Sequence, residues 1–182
     1  FFKNYNGLTI GNDVILVGDQ GFIAWSPDND SERYRSFWTK TANTSQNLRG
    51  VVHGNSIYVI VGDNGTILTS VIGSACCSIS DDNGSSWISR SSGTTDNLSE
   101  VTFGNNTFIA VGDNGTIRTS SDNGTTWDNR TSGTTKFYGV TFGKNTFIAV
   151  GDNGTIRTSS DNGSTWTSRT SGTTVNLRGV GF

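Results

Sequence analysis

The chain of 182 residues carries a formal net charge of −2, and Gly, Thr, Asn and Ser fill 92 of its positions. Charged residues make up only 15% and hydrophobic residues 32%, against roughly 25% charged in an ordinary soluble domain. Poor helix formers in these numbers argue against a helical fold, no apolar run is long enough to span a membrane as a helix, and the charge balance offers nothing for non-specific nucleic-acid binding.

In chain order, the first unit opens on the strand-like run Gly7-Leu8-Thr9-Ile10 and turns at Gly18-Asp19-Gln20-Gly21. Trp38 follows 19 residues after Asp19, past extra residues around Asp28 to Tyr34. The second unit turns at Gly62-Asp63-Asn64-Gly65 and reaches Trp87 after a longer insertion around Val71 to Ser78. In the third, a strand is expected over Glu100 to Phe103, a turn at Gly104-Asn105-Asn106, and a second strand over Thr107 to Val111. The Gly112-Asp113-Asn114-Gly115 turn, a third strand over Thr116 to Ser120, a turn at Asp122-Asn123-Gly124 and a fourth strand over Thr125 to Arg130 complete it. The fourth unit repeats the third almost residue for residue, with Gly151-Asp152-Asn153-Gly154 and Trp166 at the same places. Asn-Gly turns suit tight connections because both residues accept positive φ at low cost. The unalternating runs Phe108 to Val111 and Phe147 to Val150 read as strands buried on both faces.

Trp38, Trp87, Trp127 and Trp166 lie 49, 40 and 39 residues apart. A period near 40 with several short apolar runs per unit is the signature of a propeller or a similar repeat array. The expected fold is therefore all-β: a β-propeller of four-stranded antiparallel blades, about four blades plus one surplus strand, treated as a single segment 1–182. Its units run approximately 7–49, 50–99, 100–138 and 139–178, and 179–182 begins a further first strand. Four blades is the lower end of the usual range. The surplus strand leads us to expect a part of a longer array, or several chains completing a ring or filament together.

Between the third and fourth strands the pattern S-x-D-x-G-x-[ST]-W recurs. It is carried by Ser80, Asp82, Gly84 and Trp87, by Ser120, Asp122, Gly124 and Trp127, and by Ser159, Asp161, Gly163 and Trp166. The first unit keeps only Ser26, Asp28 and a displaced Trp38. These residues resemble the Asp-box, or bacterial neuraminidase, repeat, and the phrase Val111 to Trp127 is similar to the repeats of photosystem II assembly-factor propellers. The carboxylate is expected to accept backbone N–H groups of its own turn, the Gly to take positive φ, and the Trp to fill the gap to the neighbouring unit. A Ca²⁺ site needs six to eight oxygens and one such turn offers one carboxylate, so neither metal nor cofactor is expected.

Strand direction places the strand 1–2 turns and the Asp-box turns on one face, and the GDxG turns and unit-to-unit linkers on the other. The resemblance implies that ligands sit on the second face. Asp19, Asp63, Asp113 and Asp152 are thus candidate ligand-face residues, set against simple turn chemistry repeated four times. A sialidase-like site would need an Arg cluster, a Tyr nucleophile with its Glu, and an acid/base Asp. The only Glu residues are Glu32 and Glu100, and Arg118 and Arg157 share one repeat position while Arg90, Arg130 and Arg169 share another, so catalysis is not expected.

His53 has no evident ligand or base partner in the sequence. Cys76 and Cys77 are adjacent, which disfavours a bridge between them and leaves free thiols, an intermolecular link or a strained vicinal pair. Sequons at Asn64, Asn114 and Asn123 arise by default wherever an Asn-Gly turn precedes Thr. The hydroxyl-rich, Lys-poor composition suits an extracellular or cell-surface protein, although no signal peptide is visible. The expected role is a non-enzymatic binding or assembly module for a glycan or a protein, with a sialidase-type glycosidase fragment and an assembly factor for a membrane protein complex as alternatives.

Overall fold

A computed structural model describes residues 4–10, 13–27, 38–71 and 87–182. Within these, sixteen strands form four antiparallel sheets of four strands each. The first sheet holds β1 (Tyr5–Ile10), β2 (Asp13–Gly18), β3 (Phe22–Pro27) and β4 (Trp38–Thr41), and the second β5 (Leu48–Gly54), β6 (Ile57–Gly62), β7 (Ile67–Val71) and β8 (Ile88–Arg90). The third holds β9 (Leu98–Gly104), β10 (Thr107–Gly112), β11 (Ile117–Ser120) and β12 (Asp128–Asn129), and the fourth β13 (Phe137–Gly143), β14 (Thr146–Gly151), β15 (Ile156–Ser159) and β16 (Thr167–Arg169). Strands follow sequence order within every sheet, and the four sheets are the four propeller blades expected from the repeat. Among the described residues no helix is long and apolar enough to cross a membrane.

The blades stack face to face, and their core lies between them. Ile15, Val17 and Ile23 of the first sheet meet Leu48, Val51, Tyr58, Ile60 and Leu68 of the second. Val59, Val61 and Ile67 of the second meet Leu98, Val101, Phe108 and Ala110 of the third. Ile109, Val111 and Ile117 of the third meet Phe137, Val140, Phe147 and Ala149 of the fourth. Successive side chains of the second strand serve opposite neighbours, which is why Phe108-Ile109-Ala110-Val111 shows no polar alternation. The three hydrophobic clusters join consecutive sheets, and none of them links the fourth sheet to the first among the described residues.

First strands approach each other so closely that only Gly fits at their ends. A Cβ added to Gly54 would enter the ring of Phe103, one on Gly104 the ring of Phe142, and one on Gly143 the ring of Phe182. The last of these shows that the surplus segment ending at Phe182 lies where the first strand of a fifth blade belongs. It forms no ladder among the described residues.

The fourth strands are shorter than expected. In the third blade only Asp128–Asn129 pairs, with Thr119 and Arg118, rather than Thr125 to Arg130. The N–H of Thr126 is held by the Asp122 carboxylate at 2.9 Å, so this stretch belongs to the turn and is lost to the ladder. Likewise the third strand starts at Ile117, because the Thr116 N–H closes the preceding turn on the Asp113 carbonyl at 2.9 Å. The first strand starts earlier, at Leu98, across a register irregularity opposite Val111 and Gly112.

Candidate functional site

The Ser-x-Asp-x-Gly turns are self-contained. Ser120 Oγ donates to Asp122 Oδ1 at 2.8 Å and accepts the Gly124 N–H at 2.9 Å. Asp122 also accepts the Thr126 hydroxyl at 2.6 Å, and the Trp127 indole N–H donates to the Gly124 carbonyl at 3.0 Å. Ser159, Asp161, Gly163, Thr165 and Trp166 repeat the set, with matching distances of 2.7, 2.9, 2.6 and 3.1 Å. Gly124 and Gly163 take φ of 74° and 80°, each preceded by an Asn also at positive φ.

The hydrogen bonds from Thr165 and Ser159 pull the Asp161 carboxyl down to about 2. Burial pushes Asp122 up, but the bonds from Thr126 and Ser120 more than reverse it, and it too lies below its usual value. Both carboxylates are thus committed to their turns. Trp127 packs among Val59, Val61 and Ile67 of the preceding blade and Trp166 packs on the cluster holding Ile109 and Ile117. Trp87 lies against the first interblade cluster. Ser80, Asp82, Gly84, Cys76 and Cys77, with the insertions around Asp28 to Tyr34 and Val71 to Ser78, lie outside the described residues, apart from Val71 at the end of β7.

The two faces sort as strand direction requires. Asn55 Nδ2 donates to Asn123 Oδ1 at 3.2 Å and Asn105 Nδ2 to Asn162 Oδ1 at 2.7 Å, so the strand 1–2 turns of the second and third blades meet the Ser-x-Asp-x-Gly turns of the third and fourth. On the opposite face Asp19, Asp63, Asp113 and Asp152 each open a single 3-10 turn whose second residue, Gln20, Asn64, Asn114 or Asn153, is left-handed.

All four of these carboxylates are engaged. Asp19 accepts from Asn4 at 3.0 Å and from Asn6 at 2.9 Å. Asp63 accepts from Asn47 at 3.0 Å and pairs with Arg49. Asp113 accepts from Asn97 at 3.0 Å and pairs with Lys136 Nζ at 2.8 Å. Asp152 receives no linker carboxamide, and its Oδ1, like that of Asp113, is buried without a hydrogen bond. The Tyr138 hydroxyl donates a hydrogen bond to this carboxylate, and that bond, with burial and the carboxylate's charge, raises the tyrosine pKa above its usual value.

The linkers bind this face together. Asp96 accepts from Asn114 at 2.8 Å and from Thr116 at 2.7 Å, and these bonds lower its pKa. Arg118 reaches the Gly93 carbonyl at 3.1 Å. Glu100 departs from the repeat, since Gly7, Gly50, Gly139 and Gly179 hold its position in the other first strands. It lies against Gly50, and burial pushes its carboxyl up to about 7. His53 packs against Tyr58 with ring centroids 4.9 Å apart.

Sequence reasoning missed the linker asparagines Asn47, Asn97 and Asn176 and the departures at Lys136 and Tyr138. The signal was present: Asn-Leu closes three linkers and Lys-Phe closes the other.

A family model described as "DUF6242 beta propeller domain" matches residues 24–177. No curated protein matches the chain in sequence. Among solved structures, "YCF48 bound to D1 peptide" is similar at 16% identity and a TM-score of 0.64, over 96% of this chain and 55% of that one. "YCF48 from Cyanidioschyzon merolae" is similar at 16% identity and 0.66, over 99% and 60%. "Structure of U3-55K" reaches 0.70 at 8% identity, over 92% and 52%. The chain therefore spans a little over half the length of these propellers, and at such identities the likeness is one of fold.

Proposed function

The chain belongs to the DUF6242 beta propeller domain family, and from that premise we propose that it is a non-enzymatic Asp-box propeller module that binds a protein partner on the face of its GDxG turns and linkers. The observation that carries this reading is the arrangement of that face. Four turns, each with an exposed second residue (Gln20, Asn64, Asn114, Asn153), stand side by side with hydroxyl-rich linkers, giving a continuous surface of donors and acceptors on a rigid β scaffold. The Ser-x-Asp-x-Gly turns of the other face, by contrast, spend their polar groups on themselves. The repeat supplies no unique Arg-Tyr-Glu set for glycoside chemistry. The structurally similar YCF48 was solved with a D1 peptide, which supports a peptide or protein partner over a glycan. An extracellular or cell-surface setting fits the composition.

The first blade adds a proposal about assembly. Tyr5 and Leu8 are 61% and 56% exposed, whereas Leu48 and Val51, which hold the same places in the second blade, are 0% and 5% exposed. We infer that further blades, of the same chain or of a second copy, cover this face. The molar mass of the 182-residue chain in dilute solution tests the second-copy case: a monomer at all concentrations would exclude it.

The binding reading is tested by selecting peptides from a display library on the immobilised chain, with a glycan array in parallel. Thr134→Glu and Thr173→Glu, on the linker face, are expected to weaken the selected ligands at least tenfold. Thr125→Glu, on the opposite face, is expected to leave them unchanged. The reverse pattern, or hydrolysis of a fluorogenic sialoside, would overturn the reading.

A further inference from the structure

Residues Asn176-Leu177-Arg178-Gly179-Val180 repeat Asn47-Leu48-Arg49-Gly50-Val51 without a change, and the two segments are seated alike. The Gly154 N–H donates to the Val175 carbonyl at 2.8 Å, as the Gly21 N–H does to that of Gln46. Asn176 Oδ1 accepts the Asn153 N–H at 3.1 Å, as Asn47 Oδ1 accepts that of Gln20 at 3.2 Å. A Cβ on Gly139 would lie 3.4 Å from Gly179 Cα, and one on Gly7 3.2 Å from Gly50 Cα. The last segment therefore runs over the fourth blade in the register that β5 keeps over the first.

The two segments differ in what they hold. β5 pairs with β6, and Asp63, the residue after β6, is caught by the start of β5. Asn47 Nδ2 donates to Asp63 Oδ2 at 3.0 Å, Arg49 pairs with Oδ1, and the Asp63 N–H donates to the Asn47 carbonyl at 2.9 Å. At the last segment, among the described residues, no strand pairs with 177–182 and no carboxylate meets Asn176 or Arg178. Both side chains are exposed, and the Arg178 guanidinium rests 4.8 Å from the centroid of the Tyr138 ring. The apolar surface beside them is open as well: Phe182 is 66% exposed, and Ile148 and Ile156 of the fourth blade are half-buried.

We propose that residues 176–182 are a docking strand for a protein partner, with Asn176 and Arg178 as its carboxylate receptor. The partner presents an extended segment, antiparallel to 177–182, that ends in Gly-Asp. Its aspartate accepts from Asn176 Nδ2 and from the Arg178 guanidinium. Its apolar side chains lie on Ile148 and Ile156 as Tyr58 and Ile60 lie among Ile15 and Ile23 in the first interblade cluster. An unpaired strand recruits another through main-chain hydrogen bonds and selects it through alternate side chains. A guanidinium and an amide converging on one carboxylate add charge-assisted hydrogen bonds, roughly twice as strong as neutral ones. A second copy of this chain is a poor donor of such a strand, because Asp19, Asp63, Asp113 and Asp152, which follow its own second strands, are all engaged within the chain. The occupant is therefore a strand of a different protein. This goes beyond the reading of the GDxG face and does not rest on it.

The test is a titration of the ¹⁵N-labelled 182-residue chain with acetyl-Tyr-Thr-Ile-Thr-Gly-Asp-amide, which keeps the inward-facing pattern of β6 and the aspartate after it. It is followed at the Arg178 Nε–H and the Asn176 side-chain amide. The same peptide with Asn in place of Asp, and sodium acetate, are the controls. The Asp peptide is expected to shift both resonances and the backbone amides of 177–182 saturably, and the Asn peptide to bind at least about tenfold more weakly. Arg178→Gln is expected to remove most of this preference, with the spectrum of the first three blades unchanged. Joining either peptide after Phe182 through Gly-Asn-Asn-Thr, the loop of residues 104–107, repeats the comparison at high effective concentration. The Asp form is expected to slow amide exchange in 177–182 more than the Asn form.

Equal behaviour of the two peptides, free and joined alike, overturns the carboxylate receptor. No shift at Arg178 with the Asp peptide, and no protection in the joined form, overturns the docking strand. A response to acetate as strong as that to the peptide reduces the site to simple anion binding and overturns it too. Movement of the same resonances when the chain is concentrated without peptide assigns the segment to a second copy and overturns the partner. If the peptide fails while Thr134→Glu still weakens a display-selected ligand, the docking strand falls and the binding face stands.

Discussion

Asparagine does two different jobs in this chain, and both follow from its short carboxamide. In the turns, Asn64, Asn114 and Asn153 sit at φ of 51–54°, a left-handed conformation that Asn adopts more readily than most residues. In the linkers, Asn47 and Asn97 present the same group to a neighbouring turn. The residue that breaks the repeat most sharply is Glu100, and its position makes a measurable prediction. Its carboxyl is raised from 4.5 to about 7 because burial disfavours the ionised form. A folded-state pKa above the unfolded one means that the native state binds the proton more tightly. The associated stability is fully present below about pH 4.5 and is lost as the pH rises through 7. Urea denaturation at pH 5 and pH 8 is expected to show the natural chain weakening at the higher pH. Glu100→Gln is expected to flatten this dependence and to be more stable than the natural chain at pH 8 by roughly 1–3 kcal/mol. A variant that retained the full pH dependence would place its source in another group.

The strand pairs carry the next level of specificity, at the contact between a glycine and an aromatic ring. Gly104 faces Phe142, and Gly143 faces Phe182, through the same geometry. The backbones at Gly104 and Gly143 are not left-handed, so the requirement for Gly is one of space alone. Gly104→Ala pushes a methyl group into the ring of Phe142, which is held in the β13 ladder opposite Phe147, and is expected to cost about 1–3 kcal/mol. Gly143→Ala meets a ring on a segment with no strand partner, which can yield, and is expected to cost less than half as much. Chemical denaturation of the two variants checks the difference, and equal costs would mean that Phe182 is held as firmly as Phe142. The shortened fourth strands belong to this level as well: Thr125 to Trp127 were legible as strand from their composition, but the Asp122 carboxylate takes the N–H that a ladder would need.

Across the whole molecule, the third and fourth blades form an internal control. Phe-Ile-Ala-Val-Gly-Asp-Asn-Gly-Thr-Ile-Arg-Thr-Ser occurs in both, at 108–120 and 147–159. Ile109, Ile117 and Thr119 are buried under the next blade, whereas their equivalents Ile148, Ile156 and Thr158 are half-buried. In an array whose core lies between repeats, stability depends on nearest-neighbour interfaces, so identical sequences acquire different protection. Amide hydrogen exchange in β14 and β15 is expected to be faster than at the matching positions of β10 and β11. Equal rates would show that the face of the fourth blade is covered in solution.

The sequence by itself determined the blades: the period of 39–40 residues, the Asn-Gly turns and the doubly apolar second strands leave little freedom once local backbone preferences are satisfied. The self-bonded Ser-x-Asp-x-Gly turns were equally legible, because all their partners lie within eight residues. Tertiary structure decided what depends on partners far apart in the chain. It showed that Asp63 and Asp113 are engaged by linker amides 16 residues away, while Asp152 is held by the Tyr138 hydroxyl. A repeat pattern specifies contacts that recur; the consequence of a single departure depends on which groups it leaves facing each other across the junction.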